Sequence, residues 1–173
     1  MAKLFVFMML GGFVGIDGYA VSPGILLLAH RLSTFGDVST HNWSSQSDVV
    51  QRIASLDPND KVVLIGYSGG GFAITRVAEE LNSNPGHRID LLIAYDPSPT
   101  WSMRTLGKNV VRAICYCNDL PLFLGMGGAK LTGSNTVEVV NISEPHPVVQ
   151  FDERLHKRTI AEVEKLANTA RPK

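Results

Sequence analysis

Five short, continuous apolar runs recur along the chain, and they constrain the fold more than any other feature of the sequence. Runs of this length are typical of strands in a parallel sheet that is covered on both faces. They occupy residues 4–10, 61–65, 89–95, 110–116 and 136–142, and residues 36–40 form a further short candidate. The sequence therefore predicts a largely buried β-sheet.

Segments with helical spacing lie between these runs. Their apolar residues recur at intervals of three and four, which places them on one face of a helix. Helices are predicted over residues 23–34, 47–56, 72–81 and 159–169. Strands that alternate with helices indicate β-α-β units with right-handed crossovers. We therefore expect an α/β fold, namely a three-layer α/β/α sandwich around a mostly parallel sheet of five to six strands, in a single domain over residues 1–173.

The overall composition excludes several classes of protein. A chain of 173 residues with 45% hydrophobic residues can bury a real core, which argues against disorder. Its 16 Lys and Arg balance 16 Asp and Glu, so the net charge is zero. Without a basic surface to attract phosphates, nucleic-acid binding is not expected.

The apolar N-terminal region has two interpretations. Lys3 followed by an apolar run up to Ile16 imitates a secretory signal, although the run is too short to span a membrane. However, Gly11 and Gly12 interrupt the run where a secretory helix should be continuous. A strand over residues 4–10 that ends in a glycine turn explains the same apolar run and its two glycines. We favour the strand, and with it a cytoplasmic protein over a secreted one.

The two cysteines, Cys115 and Cys117, do not form a zinc framework. A tetrahedral zinc site needs four ligands, and no second Cys or His pair stands at a suitable distance. Two positions apart on a strand, the thiols would point to one face, where they are interpreted as buried small hydrophobic residues in a reducing compartment. No metal or other cofactor is expected.

The sequence Gly66-Tyr67-Ser68-Gly69-Gly70 follows the predicted strand 61–65 and precedes a predicted helix. A G-x-S-x-G between a strand and a helix is a nucleophile elbow, in which a strained turn lifts the serine hydroxyl above the sheet. A phosphate-binding Walker loop would need a lysine where Phe72 stands, and the dinucleotide fingerprint lacks its last glycine. Ser68 is therefore the candidate nucleophile.

In this context the sequence resembles the α/β-hydrolase family, and within it the lipases and esterases. The family's triad follows the chain order nucleophile, acid, histidine. Residues 93–97, Ile-Ala-Tyr-Asp-Pro, are similar to the L-D-P acid motif of animal triglyceride lipases, so the resemblance implies Asp96 as the acid. Asp119 is the alternative, because many family members place their acid after the strand that corresponds to residues 110–116.

The same chain order selects the candidate base. Three of the five histidines precede Asp96, which leaves His146 and His156. His146 follows the predicted strand 136–142 in a loop, where the family keeps its histidine, and it is favoured over His156. The resemblance makes Asp152 the N-cap of the last helix and His156 a residue on the surface of that helix.

The oxyanion hole is expected to combine two backbone amides. One is the Gly69 N–H at the start of the helix after the elbow. The segment 10–13 resembles the H-G-F loop of lipases with Gly11 in the histidine position, so the second donor would be the Phe13 N–H, or that of Gly12.

Candidates for substrate binding lie close to these positions in the sequence. Tyr67 and Trp101 are the substrate-binding candidates, with Trp101 in a loop after a strand, where α/β folds bind ligands. Phe13, Leu122 and Phe123 could extend an acyl pocket, although packing in the core is the more frequent explanation for such residues.

The resemblance implies a serine hydrolase that cleaves carboxylic esters through a Ser-His-Asp triad and an acyl-enzyme, with a small-molecule acyl ester as substrate. A thioesterase or polysaccharide deacylase would use the same triad and stays open. A non-catalytic binding module also stays open, and two departures from the family's pattern favour it slightly: Gly11 in place of the loop histidine, and Pro147 directly after the candidate base. Because the first strand already carries the oxyanion turn, the chain corresponds to the family from its third strand onward. We therefore expect a minimal hydrolase without a lid and without a membrane span.

Overall fold

The computed structural model describes residues 2–12, 14–83, 87–98, 105–118, 128–133 and 136–170. Strands and helices alternate along the chain, as the apolar runs predict. In chain order the elements are β1 (Leu4–Leu10), α1 (Gly18–Val21), α2 (Pro23–Leu32), β2 (Asp37–Asn42), α3 (Gln46–Ala54), β3 (Lys61–Tyr67), α4 (Gly69–Asn82), β4 (Leu91–Tyr95), β5 (Arg112–Asn118), β6 (Thr136–Ile142), α5 (His146–Val149) and α6 (Glu153–Ala170).

The six strands form one sheet in the order β2-β1-β3-β4-β5-β6, and every neighbouring pair is parallel. This confirms the predicted parallel sheet. The chain leaves β1 toward β2 on one side and then returns to add β3 on the other side. The carboxyl ends of β1 and β3 therefore flank the point where the strand order reverses, which is where open α/β sheets bind ligands.

Both faces of the sheet are covered by helices. In β1 the side chains alternate, so that Val6 and Met8 pack into one core while Phe7 and Met9 pack into the other. The first core includes buried residues of α2 and α6, and the second includes buried residues of α3 and α4. Each fully buried aliphatic side chain contributes about 1.5–3 kcal/mol. The predicted three-layer sandwich is confirmed.

The N-terminal apolar run is β1, a strand with a neighbour on each side. From Val6 to Leu10 its side chains are at most 1% exposed, and it pairs with both β2 and β3. The strand interpretation of this run is confirmed. In the described ranges, no helix has the length and hydropathy that crossing a membrane requires.

The last strand differs from the expectation of burial on both faces. β6 lies at the edge of the sheet, and only Ile142 among its residues is buried. Val139, in its middle, is 40% exposed. The apolar run that predicted β6 already contains Glu138 and Asn141, which suit an edge position.

The short helices α1 and α5 were not predicted, because four residues are too few to show a helical period.

Candidate active site

Ser68 occupies the turn between β3 and α4. Its backbone has φ 54° and ψ −120°, a left-handed φ that is costly for a residue with a side chain. The turn is held by the Ser68 amide, which donates to the carbonyl oxygen of Tyr95 at 3.0 Å, and by the Ser98 and Gly71 amides, which both donate to the Ser68 carbonyl oxygen. Backbone hydrogen bonds to β4, to the segment after it and to the start of α4 thus keep the strained serine in place at the end of the sheet.

The glycines of the motif are explained by close backbone contacts. A Cβ on Gly66 would collide with the backbone of Gly70, across the turn. A Cβ on Gly70 would collide with the carbonyl oxygen of Met9 in β1. Gly66 and Gly70 therefore let the first turn of α4 approach β3 and β1, which brings the helix start to Ser68.

We expect Gly70→Ala to destabilise the protein by about 3 kcal/mol or more, because the new methyl group must displace the backbone of a central strand. Urea unfolding followed by circular dichroism measures the effect. Gly15→Ala is the matched control: Gly15 has φ +83°, but no atom lies within 4 Å of the place that its Cβ would take, so only about 1 kcal/mol of backbone strain is expected. Equal losses in the two variants would contradict this explanation of the motif.

Asp96 follows β4 directly and is completely buried. Its Oδ1 atom accepts hydrogen bonds from the backbone amides of Asn118, at 2.9 Å, and Gly128, at 2.8 Å. Its Oδ2 atom lies 2.6 Å from Nδ1 of His146. A buried carboxylate is tolerated when donors surround it, and Asp96 has three. Its position on the sheet is fixed by its own amide, which donates to the carbonyl oxygen of Tyr116 in β5 at 2.7 Å.

His146 begins α5 and lies between the serine and the aspartate. Its Nε2 atom is 2.9 Å from Ser68 Oγ, while Nδ1 faces Asp96. An ionised carboxylate can only accept, so Nδ1 carries the proton and Nε2 offers its lone pair to the serine hydroxyl. The structure thus brings Ser68, His146 and Asp96, from three separate elements, into one hydrogen-bonded chain.

His156 lies elsewhere, and its expected place on the helix surface is wrong. The residue is fully buried, with Nε2 2.8 Å from the carbonyl oxygen of Gln150 and its ring edge against Tyr95. Burial lowers the pKa of His156 below its ordinary value, which favours the neutral form of the ring. The reason for the burial is the helical spacing, because His156 comes three and seven positions before the buried Thr159 and Val163 and so lies on the face of α6 that packs against the sheet. Asp152 does accept from the amides of Arg154 and Leu155 at that helix start, as an N-cap would.

The first of the two glycines after β1, Gly11, lies against the elbow. A Cβ on Gly11 would be 3.2 Å from Cβ of Ser68, and the Gly11 amide donates to Oγ of Ser22 at 2.9 Å. Gly12 has φ +136°, a conformation that favours glycine. Gly69 is the first residue of α4, at the positive end of its helix dipole. The two loops that were predicted to supply oxyanion donors therefore meet at Ser68.

Several residues proposed from the sequence lie outside the described ranges. They are the oxyanion candidate Phe13, the alternative acid Asp119, the substrate-binding candidate Trp101, and Leu122 and Phe123. Among the described residues, no group of three or more His, Cys, Asp or Glu side chains could hold a metal ion. A surface cavity of about 320 Å³ lies beside Lys3 and Asp37, at the opposite end of the strands from Ser68.

Sequence reasoning missed the surroundings of Tyr67. This side chain is only 4% exposed, and its ring stacks on the His146 ring with centroids 5.1 Å apart. Its hydroxyl donates to the carbonyl oxygen of His146 at 3.0 Å. Asn118 restrains the segment just before His146, because its side-chain amide donates to the carbonyl oxygen of Glu144 at 2.6 Å. No local signal marks these contacts, since their partners are distant in the sequence.

Comparison with known proteins gives matches in structure but not in sequence. The sequence matches no protein-family model, and it matches none of the curated proteins. Among solved structures, human thioesterase 2 has a TM-score of 0.63 at 10% identity, with 99% of each chain covered. Est1E from Butyrivibrio proteoclasticus has a TM-score of 0.54 at 12% identity, and the match covers 98% of this chain and 88% of the Est1E chain.

A third similar structure is XC6422 from Xanthomonas campestris, described as an α/β serine hydrolase without a lid. Its TM-score is 0.54 at 12% identity, and the match covers 100% of this chain and 85% of that one. Identities this low carry information about the fold alone. The parallel sheet, its helical layers and these near-complete matches show that the chain has the α/β-hydrolase fold.

Proposed function

We propose that this protein is a serine hydrolase that cleaves carboxylic esters of small molecules through an acyl-enzyme. The observation that carries the proposal is the continuous chain from Ser68 Oγ to His146 Nε2 and from His146 Nδ1 to Asp96 Oδ2, at 2.9 and 2.6 Å. A nucleophile, a base and a group that orients the base, each within hydrogen-bonding reach of the next, are the parts that acyl transfer needs.

The first half of the reaction acylates the serine. His146 Nε2 takes the hydroxyl proton while Ser68 Oγ attacks the acyl carbonyl carbon. The carbonyl oxygen becomes an oxyanion, which the amides of Gly69 and Phe13, or Gly12, stabilise. As the intermediate collapses, the bond to the alcohol oxygen breaks, and His146 gives its proton to that alcohol. Asp96 holds the imidazole in the required tautomer and stabilises its charged form.

The second half releases the acid. His146, neutral again, removes a proton from a water molecule, and the water oxygen attacks the acyl carbon of the ester on Ser68. The bond to Ser68 Oγ breaks, the serine recovers its proton from His146, and the carboxylic acid leaves. The strained elbow suits both steps, because it presents Oγ at the end of the sheet without requiring the backbone to move.

Thioester hydrolysis is a second candidate within the same chemistry. The similarity in fold to human thioesterase 2 favours it, and a thiolate leaving group would use the same residues. Oxygen esters and thioesters of one acyl chain, assayed side by side, separate the two. A higher kcat/KM for the thioester would assign the protein to thioester substrates. The sequence-based alternatives of a polysaccharide deacylase and a non-catalytic binding module have no comparable support.

Labelling by a fluorophosphonate tests the proposed function directly, since this probe reacts only with an activated serine. We expect one label per chain on the wild-type protein and none on the Ser68→Ala variant, and peptide mass spectrometry locates the label. A well-folded wild-type sample that stays unlabelled would move the interpretation to a binding module with an α/β-hydrolase fold.

The interval between Asp96 and His146 favours an enzyme without a lid. These 50 residues already contain β5 and β6, which leaves little chain for a large cap. We expect the rate on a short-chain ester to follow simple saturation as its concentration passes the point where micelles form. Initial rates across that point provide the measurement. A sharp rise in rate there would indicate interfacial activation and contradict an open site.

A further inference from the structure

Tyr67 contacts His146 in two independent ways. Its ring lies on the imidazole ring with an interplanar angle of 21°, and its hydroxyl donates to the carbonyl oxygen of the same residue at 3.0 Å. Tyr67 also precedes Ser68 directly, so its backbone belongs to the elbow. One residue is thus fixed to the nucleophile by covalent bonds and to the proposed base by a stack and a hydrogen bond.

His146 needs a restraint on its backbone as well as on its ring. Asp96 fixes the ring through Nδ1, but the backbone of His146 lies in α5, a helix of only four residues that follows Pro145. A helix this short has little stability of its own. The hydroxyl of Tyr67 restrains the carbonyl oxygen of His146, which is the part of the residue that the carboxylate does not reach.

The hydroxyl is a dependable donor. Burial and the nearby Asp96 carboxylate raise the pKa of Tyr67 well above its ordinary value, so the phenol keeps its proton throughout the range in which a histidine base works. The carbonyl oxygen that it contacts can only accept. The direction of the hydrogen bond is therefore the same before and after His146 takes the serine proton.

Gly11 provides the space for the ring. A Cβ at this position would lie 3.1 Å from Cε1 of Tyr67 and only 2.8 Å from its Cδ1, and the second distance is one that real Cβ atoms essentially never show. The Gly11 amide is held by Ser22 Oγ, so the loop cannot easily move away. This accounts for a glycine at the place where the lipase-like loop has a histidine: the Tyr67 ring passes beside this position.

We propose that Tyr67 is a positioning residue for His146, and that Gly11 keeps open the space that the Tyr67 ring needs. The inference rests on the proposed function and deepens it. It replaces the sequence-based assignment of Tyr67 to substrate binding, because the ring is buried and directed at His146. Tyr67 is thereby expected to govern the rate of the chemical steps and to leave substrate affinity unchanged.

The first test removes only the hydroxyl. Tyr67→Phe keeps the stacked ring, and we expect kcat to fall about 10-fold with KM unchanged, since a small misplacement of a reacting group costs one to two orders of magnitude. Tyr67→Leu also removes the stack, and a fall of about 100-fold is expected. The rate of fluorophosphonate labelling should fall in the same order. Tyr95→Phe is the matched control, because it removes another buried hydroxyl, one that contacts Leu155 and Thr159 in α6.

Two outcomes would overturn the inference. If Tyr67→Phe lowers kcat no more than Tyr95→Phe does, or if both lower it only in proportion to lost stability, Tyr67 is a packing residue. A rise in KM at constant kcat would restore it to substrate binding. In either case normal labelling of the wild-type protein at Ser68 would leave the proposed function standing, whereas an unlabelled wild type would remove both.

The role of Gly11 has its own test, which also serves if a Tyr67 variant folds poorly. Gly11→Ala should lower kcat about 10-fold or more, because the new methyl group pushes the ring off His146. In the Tyr67→Leu background the same change should have little further effect, since the ring is already absent. Fully additive losses in the double variant would separate Gly11 from Tyr67 and overturn this part of the inference.

Discussion

Replacing Ser68 with alanine is expected to lower kcat on a short-chain ester by about a million-fold while the fold stays intact. The hydroxyl oxygen is the only protein atom of the proposed mechanism that bonds to the substrate, so no other group can form the acyl-enzyme. The fold should tolerate the loss of Oγ, because β3 and α4 keep their own contacts. Initial rates with a chromogenic ester, together with urea unfolding of both proteins, measure the two halves of this expectation.

The double variant Ser68→Ala with His146→Ala makes this prediction sharper. If the two residues act as one unit, the second change adds almost nothing, because a base without a nucleophile has no proton to remove. The residual rate should then equal that of the single serine variant. Multiplied losses would mean that His146 serves a step in which Ser68 has no part. Unchanged activity in Ser68→Ala would refute the proposed mechanism altogether.

The elbow could be predicted from the sequence because all of its determinants are local. The strand, the glycines and the helix start are neighbours in the chain, and each has its own signal. The close contacts of Gly66 and Gly70 show what that signal encodes, namely the approach of α4 to two strands. The sheet could be predicted for a related reason, since continuous apolar runs report burial on both faces without reference to any partner.

The candidate partners of Ser68 came from the family resemblance and not from any pattern in the residues. Asp96 and His146 are 50 residues apart, and their meeting depends on the order of the strands and on where each one ends. No periodic pattern contains that information. The contact between Tyr67 and His146 has the same character. It joins residues separated by 79 positions, and no sequence pattern around either residue indicates the contact with the other.

The start of α6 shows how a local pattern can mislead. The helical period predicts this helix only over 159–169, because its first two turns carry charged residues that hide the apolar period, and the start at Glu153 was implied only by the resemblance, through Asp152 as N-cap. Arg154 and Lys157 are exposed there, while Leu155 and His156 are buried. His156, which was expected on the surface of the helix, is therefore part of the core.

The two histidines that the sequence left as alternatives should now give opposite phenotypes. His146→Ala is expected to lower kcat by about four to six orders of magnitude, because its ring is the proposed base. His156→Ala should keep most of the activity and lose about 2–4 kcal/mol of stability, because a buried ring and its hydrogen bond to Gln150 are removed. Steady-state rates and urea unfolding of both variants separate the two roles.

The pH dependence of the unfolding free energy tests whether His156 stabilises the fold as a buried, neutral ring. Burial lowers its folded-state pKa below the ordinary value of 6.5, so the unfolded chain binds the proton more readily. The stability that the neutral ring provides is therefore complete above that value and is lost as the pH falls below it. We expect the difference in unfolding free energy between wild type and His156→Ala to shrink from about pH 7.5 to about pH 5.5. A difference that stays constant over this range would mean that the buried ring is protonated as easily as in the unfolded chain.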